Sequence, residues 1–227
     1  MPFYSVPVEW ANGEVNPTPS SSRHPSVGSN DKSNSNLSGS RPNNDKIRAH
    51  QGFYQQYNSV RDDLWKIVNI RLTEFRDTRE IFITGHSMGG ALTILCAFDL
   101  AHNSSQLEVN NDCNIKAIPI ASPRTGNQAF HNEFQKIGRI HCDRLVVDND
   151  PIPKIPLASM GYKHVGRKIR LHTSKDLGIL GKMNPTKIHH YSNYLKSIVA
   201  THEKIMLSFE EPWKLSCRVF PAFAPEK

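Results

Sequence analysis

The sequence predicts an α/β fold, with a mostly parallel central sheet flanked by helices. Three observations lead there. From about Gly52 onward, short β-branched runs alternate with longer stretches in which apolar residues recur every three or four positions. Strand alternating with helix is the pattern of a parallel sheet whose crossovers are helical. One strand-to-helix junction carries Gly85-His86-Ser87-Met88-Gly89-Gly90, a composition suited to a sharp turn between those two element types. The chain, at 227 residues, is long enough for one such domain to bury a core of its own.

Asn16 to Asp45 is dominated by Ser, Asn, Pro and Gly. That run has almost no apolar side chain to offset the entropy of ordering. Residues 1–45 are therefore expected to be a flexible, low-complexity N-terminal segment, with the domain occupying 46–227. Phe53, Tyr57, Val60, Leu64, Ile67 and Val68 keep helical spacing and predict a helix with one buried face, closed near Phe75. Ile81 to Thr84 reads as a buried parallel strand, and Gly89 to His102 as a mostly apolar helix stopped at Asn103 and Ser104. Strands are expected over 115–120, 144–147 and 165–171, with a helix over 127–137. A last helix is expected from about His190 to Leu207, with Tyr194, Ile198, His202 and Ile205 on one face.

Composition narrows the function classes. The formal charge of +7 could favour anionic partners. No dense Lys/Arg run accompanies it, nor any helix–turn–helix, zinc-finger or RNA-binding signature. Nucleic acid is thus not the expected partner, and the charge reads as a solvated surface. No apolar run is long enough to span a membrane. The start, MPFYSVPVEWANGEV, lacks the basic and apolar regions of a signal peptide, so the chain as written is expected to be intracellular. Cys96, Cys113, Cys142 and Cys217 form no CxxC pair. Free thiols are expected, although Cys113 and Cys142 each precede a strand-like run and could lie side by side at neighbouring strand ends.

The chemistry is carried by Gly85-x-Ser87-x-Gly89. The turn places Ser87 in a strained backbone conformation at its apex, lifts the hydroxyl clear, and aims a helix N-terminus at the reacting centre. Residues two before and two after the apex approach closely, which favours Gly, and Gly90 gives the helix room beside the strand. Free N–H groups there favour a developing oxyanion, with Met88 N–H as one donor. A serine hydroxyl needs a base, and the base an orienting acid. Asp148 and Asp150 both follow the run Leu145-Val146-Val147, at a strand end where a carboxylate could reach the site. Downstream histidines are His164, His172, His189, His190 and His202; His189 and His190 fall just before the last helix, on a loop able to reach back.

These residues resemble the class 3 lipases, the fungal lipase-like branch of the α/β-hydrolases. His50-Gln51-Gly52-Phe53-Tyr54 looks like the family's H-x-G-F-Y start, and Ile83 to Leu92 like its I-T-G-H-S-L-G-G-A-L elbow with Met88 in the Leu place. Ser122 to Asn127 resembles its S-P-R-x-G-N turn, Asp150-Pro151-Ile152-Pro153 its D-x-V-P loop, Gly161 to Gly166 its G-Y-x-H-x-G segment, and His189 with Tyr194-Leu195 its H-x-x-x-x-Y-L end.

The resemblance spans roughly 50–195. It implies an α/β-hydrolase-like fold and a triad of Ser87, Asp150 and His189, selecting Asp150 over Asp148 because it precedes the Ile-Pro pair. It also implies hydrolysis of lipid esters of the acylglycerol type, peripheral contact with lipid, and no metal or cofactor. The family's R-G-T or R-G-S loop, which supplies a second oxyanion donor, has no counterpart upstream of His50, where the low-complexity run lies. The family's first strands are not recognisable either. The expectation is a sheet shortened on its N-terminal side, with an open edge. A second reading is a lipase-like binding module with weak turnover or none.

Overall fold

A computed structural model describes residues 5–8, 46–107, 113–172 and 184–206. In chain order the elements are β1 (Ser5–Pro7), β2 (Arg48–His50), α1 (Gln51–Glu74), β3 (Glu80–His86), α2 (Met88–His102), β4 (Asn114–Ile120), β5 (Gly126–Asn127), α3 (Gln128–Lys136), β6 (Ile140–Val147), β7 (Tyr162–Lys163), β8 (Arg167–Leu171), α4 (Pro185–His189) and α5 (Tyr191–Met206). The central sheet runs β3-β4-β6-β8 and is parallel throughout. A small antiparallel sheet, β1-β2-β5-β7, stands beside it. Among the described residues β3 and β8 are the outer strands of this sheet.

Parallel strands bring all their C-terminal ends to one rim. Ile120 pairs with Leu145, and Val147 with Leu171. The turns after β3, β4, β6 and β8 therefore leave the sheet together, and this rim is where open α/β sheets bind ligands. The helix α2 lies on β3 and β4, and α1 lies on α2. Being sandwiched, α2 is apolar nearly all round: Ile94, Leu95, Ala97 and Phe98 are all buried. A second, smaller cluster of Ala121, Val147, Leu171, Ile188 and Tyr194 forms a floor beneath α4 and α5.

The helix α1 buries most of the face its apolar spacing suggests: Tyr57 is buried, and Phe53, Leu64 and Val68 pack partly buried on the core. Val60 and Ile67 are 46% and 58% exposed, while Tyr54, Tyr57, Trp65 and Leu72 are buried. A polar residue decides the rotation. Asp99 of α2 is fully buried and accepts from Tyr57 Oη at 2.7 Å, Arg61 Nε at 2.7 Å and Trp65 Nε1 at 2.7 Å. Satisfying a buried carboxylate outweighs covering two aliphatic side chains.

Three further expectations change. Ser5–Pro7, placed outside the domain on composition, pairs with Arg48–His50, and Val8 is fully buried. The rest of the low-complexity run, 9–45, lies outside the described residues. Cys113 and Cys142 are not neighbours. The register pairs Cys142 with Ala117, four residues from Cys113 and so roughly 13 Å along the strand. Cys96, Cys113 and Cys142 are buried free thiols, and Cys113 Sγ donates to the Thr78 carbonyl at 3.1 Å; Cys217 lies outside the described residues. The buried face of α5 is wider than expected: Tyr194, Ile198 and a half-buried His202 lie on it as the spacing predicts, and Asn193, Ser197 and Thr201 are buried beside them.

Candidate active site

Ser87 stands between the last residue of β3 and the first of α2, with φ 58° and ψ −121°. A side chain rarely adopts that conformation, and it persists only where the surroundings impose it. Here Ser87 N–H donates to the Ile120 carbonyl at 2.9 Å, binding the turn to the neighbouring strand. Gly85 is required by space: a Cβ there would lie 2.4 Å from the Gly89 carbonyl oxygen. Gly90 is likewise required, its Cβ falling 2.8 Å from Ser122 Cβ. Gly89 is different from the expectation, since a Cβ there would meet open space. The backbone of residue 89, not its missing side chain, is what crowds Gly85.

Three side chains from distant parts of the chain meet above this turn. His189 Nε2 is 2.7 Å from Ser87 Oγ, and His189 Nδ1 is 2.9 Å from Asp150 Oδ2. An anionic carboxylate only accepts. Nδ1 therefore carries the proton and donates to Asp150, leaving Nε2 to accept from the serine hydroxyl. The side chain of Asp150 is fully buried and that of His189 is 20% exposed.

His189 does not lie on a loop, as its sequence context suggests, but ends the one-turn helix α4. Asn184 caps that helix, its Oδ1 accepting from Thr186 N–H and Lys187 N–H, and Pro185 supplies a preset first position. Ile188, buried in the floor cluster, pins the turn against the sheet.

Asp150 is held by more than the histidine. Its Oδ1 accepts from Ile152 N–H at 2.9 Å, and its Oδ2 accepts from Tyr194 Oη at 2.6 Å. Tyr194 Oη in turn accepts from Val147 N–H at 3.2 Å. Burial, and then donation to Asp150, push the phenol above its ordinary range, so it stays a donor.

The loop carrying Asp150 is tied down from two sides. Arg124 N–H donates to Ile155 O at 2.8 Å, and the Arg124 guanidinium donates to the carbonyls of Lys154 and Pro156. His164 Nε2 donates to Pro153 O at 2.7 Å. Burial, then the nearby Arg144 charge, push His164 down to about 3, so it is a neutral strut.

The remaining candidates are elsewhere. Asp148 is half-exposed and pairs with Arg170 at 3.0 Å and Lys168 at 3.4 Å on the sheet surface. His190 is exposed, and its Nδ1 accepts from Ser192 at the start of α5. His172 is exposed. Met88 opens α2, so its N–H belongs to the first turn, whose amides lack helical acceptors and face the Ser87 side. Tyr194, Arg124 and His164 were unassigned by the sequence as supports of the site. They do occupy the quoted motifs, which is the only signal they gave. Among the described residues no group of three His, Cys, Asp or Glu could hold a metal ion, and no helix is long and apolar enough to cross a membrane.

Comparison with known proteins places this geometry in context. The family described as Lipase (class 3) matches residues 24–160. A lipase of Rhizopus niveus is 32% identical over 119 residues, covering 52% of this chain and 29% of that protein. Phospholipase A1-IIgamma of Arabidopsis thaliana is 30% identical over 173 residues, covering 70% of this chain and 41% of that protein. The chain thus spans well under half the length of both relatives. A solved triacylglycerol lipase, described as having a serine protease triad for its catalytic centre, superposes with a TM-score of 0.51 at 28% identity, covering 60% of this chain and 50% of that one.

Proposed function

From the premise that the chain belongs to the class 3 lipase family, we propose that it hydrolyses carboxylic esters of lipids, of the acylglycerol type, through an acyl-enzyme on Ser87. The observation that carries this reading is the 2.7 Å contact between Ser87 Oγ and His189 Nε2, with Asp150 at 2.9 Å on the other ring nitrogen. Hydrogen-bond reach between nucleophile and base, and between base and orienting acid, is the geometry nucleophilic catalysis needs.

In this mechanism Ser87 Oγ attacks the ester carbonyl carbon as its proton passes to His189 Nε2. Asp150 holds the Nδ1–H tautomer and stabilises the imidazolium that forms. The carbonyl oxygen becomes an oxyanion at the α2 N-terminus, where Met88 N–H donates; one such donor is worth about 10²–10³ in turnover. Collapse of the tetrahedral intermediate breaks the bond to the alcohol, which takes the proton from His189. Water then attacks the acyl-enzyme by the same route in reverse roles, releasing the acid and restoring Ser87.

Two partly exposed apolar side chains near the nucleophile support a lipid acyl group as substrate. Met88 and Tyr191 are 50% and 53% exposed, and the Tyr191 ring centroid lies 6.0 Å from that of His86, next to the nucleophile.

A fluorophosphonate probe tests the proposal. Labelling of the folded protein, lost in Ser87→Ala, is expected. A folded protein that neither labels nor releases fatty acid from an acylglycerol would leave the binding-module reading in its place.

A further inference from the structure

Residue 86 is the first x of Gly-x-Ser-x-Gly, and the chemistry above makes no use of it. The fold nevertheless brings it to the base. His86 closes β3 opposite Ile120 of β4, and its Nε2 stands 2.9 Å from the backbone oxygen of His189. A carbonyl only accepts, so His86 Nε2 carries the proton. The two imidazole centroids are 4.8 Å apart, with planes inclined by 32°. Tyr194 and Tyr191 meet the His86 ring edge-on, at 5.6 and 6.0 Å between centroids.

This bond falls on the part of His189 that lacks helical support. As the last residue of the five-residue α4, His189 has a carbonyl that helix geometry leaves without an intrahelical donor. His86 supplies the donor. The imidazole is held by Asp150 and faces Ser87, while the peptide it springs from is held by the residue adjacent to Ser87. A displacement of the nucleophile's turn then carries the base's backbone with it.

We infer that His86 is a positioning residue: its Nε2–H, bonded to the His189 carbonyl, keeps the base in register with Ser87. The inference rests on the Ser87–His189 chemistry proposed above. The ring serves best uncharged, because His189 gains a proton during reaction and a second cation 4.8 Å away would oppose it. The surroundings favour that state. Burial, then the charge of His189, lower His86 from its ordinary value, with His190 adding to this and Asp150 and the carbonyl bond opposing it.

Two substitutions separate positioning from bulk. His86→Phe keeps a ring without a donor, and His86→Gln places an amide donor near the position of Nε2. Hydrolysis of a soluble p-nitrophenyl ester gives kcat and KM, melting temperature reports folding, and the low-field proton resonance of the His189–Asp150 bond reports the base's placement.

His86→Phe should lower kcat about 10- to 100-fold, the scale of a small misplacement, with KM held within about two-fold. Its low-field line should shift or broaden while the melting temperature stays. His86→Gln should recover most of kcat and the line. Wild-type kcat and an unmoved line in His86→Phe would overturn the inference, as would a folded His86→Gln no better than His86→Phe. If the wild-type protein neither labels nor hydrolyses, the proposed chemistry fails instead. The low-field line then decides His86 alone: kept in Gln and lost in Phe supports the role, and no difference between them ends it.

Discussion

Asp99 and Asp150 are both fully buried, and each accepts from a tyrosine hydroxyl, Tyr57 at 2.7 Å and Tyr194 at 2.6 Å. What else surrounds them separates a structural clip from a reactive group. Asp99 has a permanent counter-charge: Arg61 reaches it with Nε at 2.7 Å and Nη2 at 3.0 Å, and Trp65 and Asn103 add neutral donors. Burial opposes the Arg61 charge, yet the bond to Asp99 and the charge of Asp99 raise it above its ordinary range, so the guanidinium stays charged. Among the described residues no Lys or Arg pairs with Asp150. Its partners are a phenol, the Ile152 amide and the His189 imidazole. A buried carboxylate is most stabilised when its partner becomes charged, and in the proposed mechanism His189 takes up the Ser87 proton beside it. On the proposed chemistry, the same residue type at the same burial would serve stability in one place and transition-state charge in the other.

Removing each charge in turn gives the largest expected separation. Asp150→Asn should lower kcat about 10⁴-fold through loss of the correct tautomer, with little change in melting temperature. Asp99→Asn removes the buried carboxylate from the Arg61 ion pair and should cost about 3–5 kcal/mol of stability, with kcat per folded molecule unchanged. Denaturant titration and active-site-normalised kinetics on both variants read this directly. If Asp99→Asn lowered normalised kcat as much as Asp150→Asn does, the division of labour would be wrong. The tyrosines sharpen the contrast at smaller scale. A hydrogen bond to a charged group is worth about 1.5–3 kcal/mol. Tyr194→Phe should therefore lower kcat roughly 10- to 100-fold, whereas Tyr57→Phe should lower unfolding free energy by about 1.5–3 kcal/mol and spare kcat. Equal effects on kcat would dissolve the distinction.

The contrast also marks what was legible in the sequence. Strand–helix alternation located β3, α2, β4, β6 and α5 to within a few residues, because period and punctuation are local properties. The Ser87 turn was legible because its glycines answer a steric demand within six residues, which Gly85 and Gly90 meet in the fold. Asp99 was not. It sits in the apolar run ALTILCAFDLAHN, where periodicity reads it as one more helical position, and its partners are 34 to 42 residues away. Tyr57, Arg61 and Trp65 of α1 turn toward it, while Val60 and Ile67 are exposed. The residues alone left Asp148 and Asp150 equivalent, because what separates them is Tyr194 and His189, brought in by the last two helices. Only the motif order chose between them. The two-residue strands β5 and β7 carry too few positions for any alternation to appear.

A last difference between the two regions lies in how each should respond to acid. The loop carrying Asp150 is braced by a histidine, whereas Asp99 is braced by an arginine that does not titrate. His164 donates from Nε2 to Pro153 O, its buried Nδ1 has no hydrogen-bond partner among the described residues, and its pKa is pushed down from 6.5 to about 3. Between those values the unfolded chain binds a proton at this residue that the folded one refuses. Unfolding therefore takes up about one proton more, and stability rises with pH across that window. The contribution is fully present above 6.5 and is lost as pH falls toward 3. His164→Gln keeps a donor for Pro153 and removes the titration. Its unfolding free energy should fall less steeply than wild type between pH 6.5 and 4, with the two proteins converging as the pH drops. Parallel curves over that range would mean that His164 does not carry the acid sensitivity of the Asp150 side.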